Sequence, residues 1–214
     1  MGKNKSMKYA ELSSIPIVFE RDVSLKGSWN SNYFKNNHPI VLELACGKGD
    51  YTRGLAEIFP DKNFIGMDIK GNRLWTAARI SNENNLSNVA FIRDQIDLLE
   101  NYFVPNEISE IWITFPDPFP RIGDAKRRLT SPKFLNIYKN ILTSDGVVNL
   151  KTDSDSLFEY TLEVIEELKL PILDLHKDIY EESVTHKTHN IQTYYEKMHL
   201  KDQRTIKYVR FKLQ

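Results

Sequence analysis

Disulfides, membrane spans and net charge are all missing from this chain. Its 214 residues include one cysteine, Cys46, which excludes a disulfide framework and a cysteine-based zinc site. No apolar run approaches membrane-spanning length, and Met1 to Lys5 leads into no signal-peptide core, so the expected compartment is the cytoplasm. Lys and Arg number 29 and Asp and Glu number 29, so the global field gives no help with a nucleic acid. A local basic patch would have to do that. There is no internal repeat, low-complexity tract or dividing linker, and apolar and charged contents sit near globular averages. What remains is a chain long enough to bury one sizeable core.

Residues 1–38 alternate polar and apolar side chains without clear periodicity. Lys3, Lys5, Lys8, Arg21 and Lys26 make this arm mildly basic. It reads either as a flexible or surface-wrapping extension or as an arm that touches a phosphate backbone. From Pro39 onward, in residues 39–214, short apolar runs alternate with helix-length segments. Strands are expected at Ile40–Ala45, Asn63–Met67, Asn88–Ile92, Glu110–Phe115 and Val147–Lys151. Helices are expected at Asp50–Phe59, Arg73–Ile80, Ile96–Phe103, from Ser131-Pro132 to Asp145-Gly146, and at Ser156–Lys169. Two late strands, Ile172–Tyr180 and Thr205–Leu213, have no long helix between them and should pair antiparallel. The pattern predicts a single α/β domain with a seven-stranded, mostly parallel sheet, an antiparallel last strand and helices on both faces.

In such a sheet, ligands sit at the carboxyl ends of the strands. The first strand runs into Cys46-Gly47-Lys48-Gly49-Asp50, where glycines allow a tight turn and close approach to a ligand. Gly47 and Gly49 match the start of a G-x-G-x-x-G fingerprint, but Thr52 holds its third position and no P-loop lysine follows. Glu43, at the end of the first strand, would repel a pyrophosphate and suits a cationic or amine-bearing ligand. Asp68 lies 21 positions after Gly47, where a carboxylate accepts hydrogen bonds from ribose hydroxyls. S-adenosylmethionine meets these demands, having an α-amino group, a sulfonium and a ribose without phosphate. A nucleotide-free α/β domain, whose glycines merely turn, is the plainer alternative. Cys46 reads as a small packing residue.

A second stretch, Phe115-Pro116-Asp117-Pro118-Phe119-Pro120, follows the fourth strand. Its prolines fix the backbone and remove donors, which pre-positions Asp117 and Phe119. An acidic group and an aromatic at a strand end suit a planar base, although a stiff loop is the ordinary reading. Arg121 and then Lys126-Arg127-Arg128 lie just beyond, placed to meet phosphate. His186, His189 and His199 lack metal-ligand spacing with a carboxylate and read as surface or loop histidines.

These pieces carry a specific resemblance. From Pro39 onward the chain resembles the bacterial tRNA (guanine-N7-)-methyltransferase family, which has a Rossmann-like class I methyltransferase fold. The matching pieces are Glu43-x-x-x-Gly47-x-Gly49, Gly66 to Lys70, Phe115 to Pro120, Lys126 to Thr130, Lys151-Thr152-Asp153 and Thr193 to Lys197. The resemblance implies methyl transfer from S-adenosyl-L-methionine to N7 of a guanine in the tRNA variable loop, without metal, by a monomer or homodimer. It implies that Glu43, Gly47, Gly49, Asp68, Gln95 and Asp117 bind the cofactor, with Asp117 the catalytic carboxylate. Arg121, Lys126, Arg127, Arg128, Asp153, Thr193 and Glu196 would meet the substrate.

The chain departs from the family in several places, and Arg121 stands where a substrate-binding lysine is usual. Ala45 replaces the first loop glycine, Gln95-Ile96 replaces an Asp-Ala, and Phe119 stands where a tryptophan is usual. Ile122-Gly123-Asp124-Ala125 replaces a basic run, so tRNA affinity would lean more on the N-terminal arm. Two other functions stay open on the sequence. One is methylation of an exocyclic amine, which Asp-Pro-Phe fits poorly; the other is an RNA-binding module without turnover.

Overall fold

The apolar runs of the sequence become parallel strands, because helix-length connections return the chain to the same end of a sheet each time. A computed structural model describes residues 3–180 and 187–214, without the side chains of residues 3–6 and 189. The chain divides into two compact units, Met1–Val104 and Pro105–Gln214.

In the first unit the elements are α1 (Lys3–Leu12), β1 (Val18–Glu20), a π-helical turn (Trp29–Phe34), β2 (Ile40–Leu44), α2 (Asp50–Ile58), β3 (Asn63–Met67), α3 (Gly71–Glu83), β4 (Val89–Arg93) and α4 (Leu99–Tyr102). Its strands lie in the order β1-β4-β3-β2, and every pair is parallel. All five residues of β2 and of β3 are buried, which requires cover on both faces. This explains why Ile-Val-Leu-Glu-Leu reads as a continuous run rather than an alternation.

Residues 18–34 belong to the core of this unit. β1 pairs with β4 and adds an eighth strand to the seven expected. Trp29 is buried, and its Nε1 donates to the Tyr102 carbonyl at 3.1 Å. Phe19, Tyr33, Phe34 and Phe103 surround it at centroid distances of 5.0 to 6.4 Å. Buried Asn63, at the start of β3, donates to Asn30 Oδ1 at 2.8 Å and Asn36 Oδ1 at 2.7 Å, fixing the π-helical turn to the sheet. A turn of this kind has neither period 2 nor period 3.6, so the sequence of Trp29–Phe34 offers no rhythm to read.

The second unit contains β5 (Ile108–Thr114), α5 (Pro132–Ile141), β6 (Leu142–Thr152), α6 (Asp155–Glu167), β7 (Ile172–His176), α7 (Tyr194–Lys201) and β8 (Lys207–Lys212). Its strand order is β5-β6-β8-β7, with β8 antiparallel to both neighbours, as expected of the tail. β6 starts earlier than expected and bulges: Ile108 pairs with Leu142, but Glu110 pairs with Val147. A short helix, α7, occupies the polar stretch between the last two strands. Ser131 and Pro132 open α5 as expected, but Ser131 Oγ donates to the Lys126 carbonyl at 3.3 Å and makes no side-chain cap. His186 lies outside the described residues. Among them, no helix is long and apolar enough to cross a membrane, and no cluster of His, Cys, Asp and Glu could hold a metal.

Candidate active site

In the first unit the glycine loop after β2 is held by two carboxylates. Glu43, 3% exposed on β2, accepts at Oε2 from the Thr52 backbone N–H at 2.7 Å and from the Thr52 hydroxyl. Thr52 is the third residue of α2, so Glu43 caps that helix from the neighbouring strand. Asp68, buried just after β3, accepts from the Gly47 N–H at 2.9 Å with Oδ2 and from the Lys70 N–H at 2.7 Å with Oδ1. One side chain thus ties the loop after β2 to the loop after β3.

The two loop glycines do different jobs. A Cβ on Gly49, where φ is +66°, would lie 2.8 Å from Ala77 Cβ and 2.9 Å from Phe91 Cε1, so this glycine permits packing. A Cβ on Gly47, at φ +57°, would meet nothing nearer than Arg73 Nη1 at 3.9 Å, so this position opens onto space. Close helix–strand packing, the usual task of a third fingerprint glycine, falls instead to Gly66 on β3. A Cβ there would lie 2.9 Å from Thr52 Oγ1 and from Cys46 Sγ. Ala45 takes the left-handed conformation (φ 56°) that a glycine adopts freely, at a cost of about 1 kcal/mol. Burial, with Glu43 and Asp68 nearby, pushes the Cys46 thiol well up, which keeps it protonated and inert.

This donor set fits S-adenosylmethionine and not a phosphate ligand. Asp50, Glu43 and Asp68 concentrate negative charge around an open glycine backbone, and the Asp68 carboxylate has lone-pair capacity left for ribose hydroxyls. Gln95 follows β4 with an exposed side chain. The neighbouring Asp94, at the position one before it, has its Oδ2 taken by the Tyr102 hydroxyl at 2.7 Å. Burial and that contact raise the Tyr102 pKa.

In the second unit Asp117 is exposed on a strained loop. Phe115 (φ 47°) and Phe119 (φ 44°), two residues to either side, both adopt the left-handed conformation that bulky side chains avoid. Contacts hold each in place. The Phe115 N–H donates to the Lys151 carbonyl at 2.8 Å, and its ring stacks on His199 at 5.9 Å. The Phe119 carbonyl accepts from Arg128 Nε at 3.1 Å and Nη2 at 3.0 Å, while Arg127 lies 4.3 Å from its ring centroid. Strain over-determined by its surroundings marks sites where position matters.

The expected basic run divides. Arg121, Lys126 and Arg127 are exposed, Arg127 pairing with Asp124 at 3.2 Å. Arg128 is 7% exposed, fixed between the Phe119 carbonyl and the face of Tyr160 at 4.3 Å. It braces the Asp117 loop. Asp153 is half-buried and accepts from Arg204 Nη1 at 2.8 Å, with His199 Nδ1 at 3.5 Å.

Thr193 and Glu196 form a capping box at the start of α7. Glu196 is fully buried; its Oε1 lies 2.7 Å from Lys151 Nζ and accepts from the Tyr180 hydroxyl at 2.7 Å. Lys151 also donates to the Ile191 carbonyl at 3.2 Å, and burial lowers its pKa against the pull of Glu196. Thr52, Lys151, Tyr180, His199 and Arg128 in its bracing role are the residues that sequence reasoning missed. Two of them left a signal: Lys151 is a lone cation in an apolar strand, and Thr52 stands at a fingerprint position.

A family model described as a putative methyltransferase matches residues 37–209. The tRNA (guanine-N(7)-)-methyltransferase of Bacteroides thetaiotaomicron is 45% identical, with 100% of this chain and 87% of that protein aligned. The same-named protein of Christiangramia forsetii is 52% identical, with 92% and 86% aligned. Among solved structures, an antibiotic-related methyltransferase shares 16% identity at TM-score 0.64, covering 89% of this chain and 95% of its own. A 30S ribosomal A1408 methyltransferase from an uncultured bacterium shares 18% at TM-score 0.59, covering 91% and 98%. The solved structures speak for the fold alone, an α/β Rossmann-like methyltransferase fold.

Two contrasts test these assignments. Gly47→Ala should keep the fold but weaken S-adenosylmethionine binding by about tenfold or more, about 1.4 kcal/mol, as read by calorimetry. Gly49→Ala should instead lose about 1–3 kcal/mol of stability in thermal denaturation, because its Cβ has nowhere to go. Lys151→Met should cost about 3–5 kcal/mol by stranding buried Glu196. The Lys151→Met/Glu196→Leu double variant should recover much of that loss, as urea denaturation of both will show.

Proposed function

The chain belongs to the tRNA (guanine-N7-)-methyltransferase family, and on that premise we propose that it methylates N7 of a guanine in tRNA, yielding 7-methylguanosine. The observation that carries this reading is Asp117, an exposed carboxylate held between two strained aromatic residues. When bound, S-adenosylmethionine supplies an electrophilic sulfonium methyl. Gly47 and Asp68 would hold it, with Glu43 keeping α2 and its loop in place and Gln95 offering an amide to the adenine.

Guanine N7 carries an in-plane lone pair and no proton, so no general base is needed. The work of the chain is orientation and electrostatics. Asp117 accepts hydrogen bonds from the guanine N1–H and 2-amino group, on the edge away from N7. That fixes the base and stabilises the positive charge that grows on the purine as N7 is alkylated. Phe119 and its prolines keep the carboxylate from collapsing onto the protein surface. Arg121, Lys126 and Arg127 meet phosphates, which makes binding salt-dependent. Asp153, Thr193 and Glu196 serve the substrate pocket through α7, the helix they cap and anchor. The base must leave its stack, which costs a few kcal/mol and must be offset by these contacts. The proposed setting is the cytoplasm, with the enzyme a monomer or homodimer.

Asp117→Ala should reduce methyl transfer from labelled S-adenosylmethionine to bulk tRNA by about a hundredfold or more while cofactor binding stays near wild type. Filter counting of precipitated tRNA and calorimetry with the cofactor read the two effects separately. Near-normal transfer by the variant would contradict the role given to Asp117.

A further inference from the structure

Three segments of the first unit converge on one side chain, Arg93, at the end of β4. Its Nη1 lies 2.7 Å from Glu20 Oε2 on β1, and its guanidinium carbon lies 4.7 Å from the centroid of the Tyr9 ring on α1. Its Nε approaches the Ile69 carbonyl at 3.5 Å. Ile69 stands between Asp68 and Lys70, inside the turn that the Asp68 carboxylate closes on the Lys70 N–H. The next residue but one, Gly71, is buried under the same group. A Cβ there would lie 2.8 Å from Tyr9 Cε1, 2.9 Å from Arg93 Nε and 2.9 Å from Leu12 Cδ2. The N-terminal helix therefore packs directly at the end of the loop that carries Asp68, and the strand reaches that loop through Arg93.

A guanidinium can do all of this at once. It offers several donors in one plane and a flat face to an aromatic ring, whereas an ammonium offers a single point of charge. Glu20 depends on it as well, since its Oε1 is buried without a hydrogen-bond partner.

We propose that Arg93 is a positioning residue for the cofactor. Through Ile69 it holds Asp68 in the conformation that accepts ribose hydroxyls, and through Tyr9 and Glu20 it makes the N-terminal segment a structural part of the cofactor site. The inference rests on the reading of Asp68 as the ribose-binding carboxylate. It assigns to these residues a task different from the phosphate contact that a basic arm suggests, and it ties cofactor affinity to the N-terminal segment.

The test is a split of kinetic constants in the full-length enzyme with S-adenosylmethionine and tRNA, alongside calorimetry with S-adenosylhomocysteine. Arg93→Met should raise KM for S-adenosylmethionine and Kd for S-adenosylhomocysteine by about tenfold. It should leave kcat at saturating cofactor and KM for tRNA within about twofold. Arg93→Lys should recover only part of the affinity, because it restores the pairing with Glu20 but not the planar contact with Tyr9. Glu20→Gln, which keeps the side chain's shape, should shift both cofactor constants in the same direction by a smaller factor, and it carries the test if Arg93→Met does not fold. Cofactor constants within twofold of wild type in these variants would overturn the proposal, as would a parallel rise in KM for tRNA. Asp68→Asn, measured beside them, separates the premises. If it too binds cofactor normally, the ribose reading of Asp68 has failed and the proposal falls with it.

Discussion

The carboxylate of Asp68 is the interaction on which the first unit's chemistry depends. It joins Gly47, in the loop after β2, to Lys70, in the loop after β3, so neither loop can move alone. Glu43 does the matching work one strand over, fastening the start of α2 through Thr52. These are charge-assisted hydrogen bonds in buried surroundings, stronger than neutral ones and costly to leave half-made. The open space over Gly47 thus lies against backbone that these two carboxylates hold, with Arg73 Nη1 the nearest atom at 3.9 Å from a Cβ placed there. Preorganisation of that kind raises affinity by lowering the entropy cost of binding. The left-handed Ala45 is part of the same arrangement, strain that this network sustains.

In the second unit the corresponding constraint is the buried Lys151–Glu196 pair. Lys151 lies one residue from the end of β6, and its buried ammonium is acceptable there because a carboxylate and a carbonyl surround it. Glu196 in turn closes the capping box of α7 and receives the Tyr180 hydroxyl. The Lys151 carbonyl receives the Phe115 N–H, so the strand that carries the ion pair also anchors the Asp117 loop. Arg128 fixes the other end of that loop through the Phe119 carbonyl. The charged residues around the Asp117 loop therefore divide into those that build it and those, Asp117 with Arg121, Lys126 and Arg127, that remain exposed.

Much of this was legible in the sequence, and what was not has definite physical reasons. Strands such as Asn63–Met67 stood out because a buried parallel strand is a short apolar run between turn residues. The glycine loop, Asp68 and Asp117 were visible because strand ends are where an α/β sheet presents chemistry. Residues 18–34 are illegible in the sequence because their value lies in distant contacts, such as Tyr33 with Val89, 56 positions away, and Trp29 with Tyr102, 73 positions away. In the sequence Glu43 points to a ligand, because its partner Thr52 shows there only as a missing glycine. Arg128 cannot be told from Lys126 and Arg127 by residue type, since only the folded loop brings the Phe119 carbonyl and Tyr160 to it. Glu196 was expected at the substrate, yet a carboxylate that completes a capping box and pairs with a buried lysine has its acceptors occupied.

The chemistry proposed here stands on one atom of the acceptor. A tRNA whose target guanine is replaced by 7-deazaguanine keeps the N1–H and the 2-amino group but has carbon in place of N7. With the wild-type enzyme and labelled S-adenosylmethionine, the unmodified transcript should gain one methyl group per tRNA and the 7-deaza transcript none, while binding of the two stays comparable. Methyl transfer to the 7-deaza transcript at the rate of the unmodified one would place the reaction on another atom and contradict the account.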